Sequence, residues 1–91
     1  MRFSAANYPK LEDLPNIGPA IARDFRMLGI TTPRQLKGKN PVKLYEALNR
    51  KTRTRHDPCL LDCFMAATDF VNGAPAKPWW KYTPKRKRLT A

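Results

Sequence analysis

The 91-residue chain carries 18 Lys and Arg against 7 Asp and Glu, a formal net charge of +11, and is 42% hydrophobic. That length and composition support one all-α domain with a single modest core and exclude a second domain. No apolar stretch approaches a membrane span, and Met1-Arg2-Phe3-Ser4-Ala5-Ala6 is too short in apolar residues for a secretory signal, so a cytoplasmic location and no membrane partner are expected.

Taken in chain order, the residues up to Tyr8 read as an arm, and Pro9 opens a short helix lined by Leu11 and Leu14. Leu14-Pro15-Asn16-Ile17-Gly18-Pro19-Ala20-Ile21-Ala22 then reads as a tight turn feeding straight into a helix. Pro15 presets φ for the turn, Gly18 is the residue expected at positive φ or at a close backbone approach, and Pro19 suits the first helical position. The N–H groups of the turn and of the first helical turn face outward with partial positive charge, which suits a phosphate oxygen. Ile17, Ile21, Phe25 and Leu28 share one helix face, Arg23 and Arg26 point elsewhere, and Gly29 with Ile30 forms the C-terminal cap. The two helices form an αα-hairpin.

Thr32 and Pro33 start a short helical turn that buries Leu36, and Asn40-Pro41 starts another helix with Val42, Leu44, Tyr45 and Leu48 on its apolar face. This pair, separated by Gly38, is compatible with a second, degenerate hairpin. Asp57-Pro58 and Asn72-Gly73 bound the central helix, whose apolar arc holds Cys59, Leu60, Cys63, Phe64, Ala66, Ala67, Phe70 and Val71. Asp62, Met65, Asp69 and Asn72 fall on its other side. From Ala74 onward an extended basic tail is expected, in which at least one of Trp79 and Trp80 packs on the core. The boundaries are therefore residues 8–73 for a domain of about five short helices and 74–91 for the tail, whose loss from Lys85 onward costs no core.

His56, Cys59 and Cys63 are the one cluster with metal-ligand chemistry, but a structural zinc site closes with four ligands and no other Cys or His exists in the chain. Packing of both cysteines in the core, with His56 orienting the helix entrance, is the simpler reading, and no metal or cofactor is expected. A Cys59 thiolate favoured by the helix N-terminus stays open as an alternative. No catalytic triad, paired-carboxylate site or nucleotide loop is present, so no catalytic residue is assigned.

The Leu14–Ala22 segment resembles the helix-hairpin-helix motif of small DNA-binding proteins, with Asn16 where the commonest pattern has a glycine. Together with Gly29-Ile30-Thr31-Thr32, Arg55-His56-Asp57-Pro58-Cys59 and Pro78-Trp79-Trp80-Lys81-Tyr82-Thr83-Pro84, it resembles the bacterial pathogenicity-locus family, some of whose members are labelled mitomycin-resistance proteins. The resemblance implies a hairpin fold and nucleic-acid contact. On that basis Asn16, Ile17, Gly18 and Ala20 are expected to hold a phosphate of duplex DNA. Arg23, Arg26, Arg50, Lys51, Arg53, Arg55, Lys85, Arg86, Lys87 and Arg88 add sequence-independent backbone contacts. The competing expectation is a protein-interaction adaptor that docks a protein partner through the hairpin and the Trp-containing tail.

Overall fold

The computed structural model describes residues 2–90. Residues 1 and 91, where the stretch read for a signal begins and the expected tail ends, lie outside the described residues. Four α-helices occur among them, α1 (Pro19–Met27), α2 (Pro41–Thr52), α3 (Pro58–Val71) and α4 (Thr83–Thr90), with single 3-10 turns at Leu11–Asp13, Pro33–Leu36 and Trp79–Tyr82. The fold is all-helical, and no helix among the described residues is long and apolar enough to cross a membrane.

Everything is arranged around α3. Asp57 caps its start by accepting the Cys59 N–H at 2.8 Å, and Pro58 fills the first position, where a missing N–H costs nothing. Its end is a Schellman motif: Gly73 adopts φ 106°, its N–H donates to Phe70 O, and Ala74 N–H donates to Asp69 O at 2.9 Å. Helix α1 closes in the same way, with Gly29 at φ 83° and Ile30 N–H on Phe25 O at 3.0 Å, and α2 starts on Asn40, whose side chain accepts from Val42 N–H at 2.9 Å. All four boundaries follow the local chemistry of the sequence.

Neighbours cover α3 on nearly every side. Phe25 of α1 stacks on Phe64 with ring centroids 4.6 Å apart, while Tyr45 and Leu48 bring in α2 and Leu36 brings in the second 3-10 turn. The N-terminal arm is part of this packing, since Phe3 and Tyr8 both set their rings edge-on against Phe70. Burying aromatic rings this way is the main source of stability open to a chain of this size.

Three sequence expectations are corrected here. The short helix expected at Leu11 and Leu14 is a three-residue 3-10 turn, which begins after Lys10 rather than at Pro9. Residues Asp62 and Met65, expected on a solvent side of α3, are 0% and 2% exposed. The tail is not extended. Trp79–Tyr82 makes a 3-10 turn with Tyr82 buried, and α4 follows directly. The burial of Asp62 and the docking of α4 have one cause: Asp62 accepts from Thr83 Oγ1 at 2.7 Å and from Arg86 Nε at 3.0 Å, so α4 supplies the groups that let a carboxylate be buried.

Loss of the segment from Lys85 onward is therefore not neutral, because it leaves Asp62 without its cation. Arg86→Met is expected to lower unfolding free energy by about 3 kcal/mol. The double variant Asp62→Leu with Arg86→Met should recover most of that loss in denaturant melts, since no charge is then stranded. Equal stability of the wild type and Arg86→Met would show that the ion pair does not anchor α4.

Candidate nucleic-acid interface

The turn before α1 is built by Pro15 and Asn16. Ile17 N–H donates to Leu14 O at 3.2 Å, Pro15 holds the second position, and Asn16 the third with φ 68°, the signature of a type II turn. The positive φ thus belongs to Asn16. Gly18, expected at positive φ or at a close backbone approach, does not carry it and sits in extended backbone at φ −94° as the N-cap of α1. A Cβ on Gly18 would meet nothing within 4 Å, so neither strain nor crowding inside the protein requires glycine there.

Asn16 also acts at long range. Its Nδ2 donates to Lys77 O at 2.7 Å and its Oδ1 accepts from Trp79 N–H at 3.2 Å, clipping the residues after α3 onto the turn. Both polar atoms of the side chain are therefore engaged by the chain's own backbone. Ile17 is inward, 5% exposed, with its N–H used by the turn. Gly18 and Ala20 remain on the surface, no side chain caps α1, and the amides of its first turn lack intrahelical acceptors by helix geometry.

Among the expected cations, Arg23 is exposed on α1, whereas Arg26 donates to Glu12 at 2.9 Å and holds that carboxyl below its usual range. Arg50, Lys51, Arg53 and Arg55 are all exposed at the C-terminal end of α2 and beyond it. Two of them have structural work there, as Arg50 and Lys51 lie at the negative end of the helix dipole. Arg53 adopts φ 54° in the position a glycine usually takes. On α4, Lys85, Lys87 and Arg88 are exposed, but Arg86 is turned onto Asp62.

The structure adds two lysines to this set. Lys77, Lys81 and Lys85 line one open cleft of about 510 Å³ with Asp69, Pro78 and Tyr82. Their spacing of four was visible in the sequence, and an extended tail would have scattered it. Because Asn16 binds both Lys77 and Trp79, this lysine row begins beside the exposed start of α1. At the far end, Leu89 of α4 and Arg55 of the loop after α2 line a second cleft with Tyr45 and Glu46. The aromatic pair divides as expected, with Trp79 packed against the core and Trp80 57% exposed.

The Cys and His residues fall on the structural side. Asp57 holds the Cys59 thiol above its ordinary range by hydrogen bonding, reinforced by burial, which disfavours the thiolate. Cys63 is buried, and burial with the nearby Asp62 pushes its thiol up to about 11. His56 Nδ1 lies 2.7 Å from Asn49 Oδ1 and its carbonyl accepts from the Tyr45 hydroxyl, so it ties α2 to the start of α3.

A sequence profile of the pathogenicity-locus family, Cdd1, matches residues 4–88. The chain belongs to this family. Mitomycin resistance protein McrB of Streptomyces lavendulae is 51% identical over 81 residues, which cover 89% of this chain and 77% of that protein. No solved structure matches. In this pathogenicity-locus chain the matched span takes in Tyr8 of the arm, the Asn16 clip and the Asp62–Arg86 pair, so the family match extends over most of the elements that hold the fold together.

Two outcomes test this geometry. Asn16→Gly keeps the positive φ but loses both clip bonds, and is expected to destabilise by about 1–2 kcal/mol. Asn16→Ala should be worse by about 1 kcal/mol because it adds backbone strain. Equal denaturation midpoints for all three proteins would remove the clip from the account. The second outcome concerns pH. Burial, helped by Asp69, pushes the Tyr82 phenol up to about 12, against ordinary values of 10.0 for Tyr and 9.0 for Cys63. Folding favours the neutral form of both acids, so their contribution is complete below pH 9 and declines as pH rises toward 12. Thermal midpoints of the wild type should fall from about pH 9, and those of Cys63→Ala less steeply between about pH 9 and 10, where the raised Cys59 thiol still contributes, each relative to its own value at neutral pH.

Proposed function

We propose that the chain is a helix-hairpin-helix module that binds duplex DNA through the phosphate backbone, with little sequence preference and without chemistry of its own. In this reading the first helix of the hairpin is reduced to the 3-10 turn Leu11–Asp13, the type II turn follows, and α1 is the second helix. Its place of action is then the cytoplasm, where the DNA lies.

The observation that carries the reading is the junction made by Asn16, which sets the exposed start of α1 beside the lysine row Lys77, Lys81 and Lys85. Helix-start amides fix a phosphate in position, and lysines arranged along the adjoining cleft release counterions from its neighbours. Arg23, Arg55, Lys87 and Arg88 extend the same field over the surface. Gly18 fits as well. With no internal need for glycine, its bare N-cap leaves the helix-start amides open to a ligand oxygen instead of closing them with a side chain.

Duplex binding should weaken with salt at a slope of about −3 to −5 in log K against log salt, several phosphates at roughly −0.9 each. The decisive variant is Gly18→Asp. A carboxylate at this N-cap satisfies the same amides and complements the helix dipole, so stability is expected to rise by about 0.5–1 kcal/mol. DNA affinity should fall in the same protein. Unchanged affinity in Gly18→Asp, or a flat salt response in the wild type, would favour the protein-adaptor reading.

A further inference from the structure

Trp80 is the largest exposed apolar side chain among the described residues, and neither the fold nor duplex binding uses it. Leaving an indole in water in a chain so short of core surface needs a reason, and loose placement does not supply one. Lys81 N–H donates to Pro78 O at 3.1 Å in the 3-10 turn that carries Trp80, and the backbone N–H of Trp79 is held by Asn16. The Trp80 ring meets the ring of Trp79 edge-on, centroids 5.8 Å apart, and Trp79 is itself packed against the core. A T-shaped contact sets one ring's edge on the other's face, so Trp79 covers at most one face of the Trp80 indole and leaves at least the other for another flat group.

The surroundings state what that flat group is attached to. Lys77 and Lys81 flank Trp80 in the chain and line the cationic cleft, and the start of α1 is joined to the same turn by Asn16. A planar aromatic surface fixed among phosphate-binding groups matches one repeating chemistry, the base and phosphate of a nucleic acid. Bases inside a duplex are already stacked on one another and present only their edges. Only an unpaired base offers its face.

We propose that Trp80 is a stacking platform for an unpaired nucleobase, so that the module's preferred ligand is DNA with a single-stranded segment. This rests on the DNA-binding reading above and narrows its substrate class. The platform is ordered before binding, because Pro78, Asn16 and Trp79 fix it. Little conformational freedom is then lost when a base docks. Stacking is tolerant of base identity, in keeping with an absence of sequence preference.

The test compares an oligothymidylate with an abasic strand of equal length, which carries the same phosphates without bases, using fluorescence anisotropy at one salt concentration. The wild type is expected to prefer the oligothymidylate by about 5- to 150-fold, the range for one stacked base. Trp80→Leu, which keeps an apolar side chain and removes the aromatic face, should bring that ratio close to one. It should leave the thermal midpoint and the duplex salt slope unchanged, because Trp80 is exposed and uncharged. Trp80→Phe should retain part of the preference. Equal binding of both strands by the wild type, with steep salt dependence intact, overturns the platform and leaves the duplex reading standing. A preference that survives in Trp80→Leu overturns it too, since the base then stacks elsewhere. Absence of salt-dependent binding to any of the strands removes both readings and leaves Trp80 to a protein partner.

Discussion

A carboxylate with no access to water lies in the most apolar helix of this protein, and much of the C-terminal structure follows from that. Asp62 is 0% exposed, and its oxygens are taken by Thr83 and Arg86, one turn apart on α4. Burying such a charge costs several kcal/mol unless a cation and further donors accompany it. Helix α4 meets that need with residues that have little packing value of their own. The pair is therefore better understood as a device of position than of net stability: it permits one docking of α4 on α3 and makes any other arrangement expensive.

Asn16 fixes the opposite end of the same segment. Its side chain satisfies a carbonyl and an N–H of backbone more than sixty residues away in sequence. Between these two anchors, Tyr82 is buried and Trp79 is packed, while Lys77, Lys81 and Lys85 are left along one cleft. The surface that the functional reading depends on is thus assembled by an asparagine and an aspartate whose side-chain polar atoms are engaged within the protein itself. Losing either anchor frees one end of the lysine row, even though every lysine remains.

What the sequence reveals here is mostly what is local. The caps at Asn40, Asp57, Gly29 and Gly73 are legible because each satisfies backbone groups within a few residues. The tight turn before α1 was legible too, yet positive φ or a close backbone approach was expected at Gly18, and the positive φ falls on Asn16. Glycine permits that conformation, but Pro15 sets the register of the turn and so places it one residue after itself. Helix α4 could not be read at all. Thr83-Pro84-Lys85-Arg86-Lys87-Arg88 has no apolar periodicity, and its reason to be helical is Asp62, which amphipathic reasoning assigns to the solvent side of α3. Both errors have one origin, since a polar residue is placed outside by pattern unless its partner is known.

The same bookkeeping of partners explains why so basic a chain can display its charge. Acidic residues are few, and several are used at caps or in the interior: Asp57 on α3, Asp13 on the Lys10 N–H, Asp62 under α4, and Asp69 against Tyr82. Among the described residues, ion pairs engage only Arg26 and Arg86. Scattering the carboxylates over the surface would have reduced self-repulsion and stabilised the compact state, but it would also have flattened the positive field. Instead the negative charges are placed where they hold backbone and helices. The lysine row, the loop after α2 and the exposed end of α4 carry no ion pair among the described residues, and the cost of their mutual repulsion is offset by a core in which α3 is covered on nearly all sides.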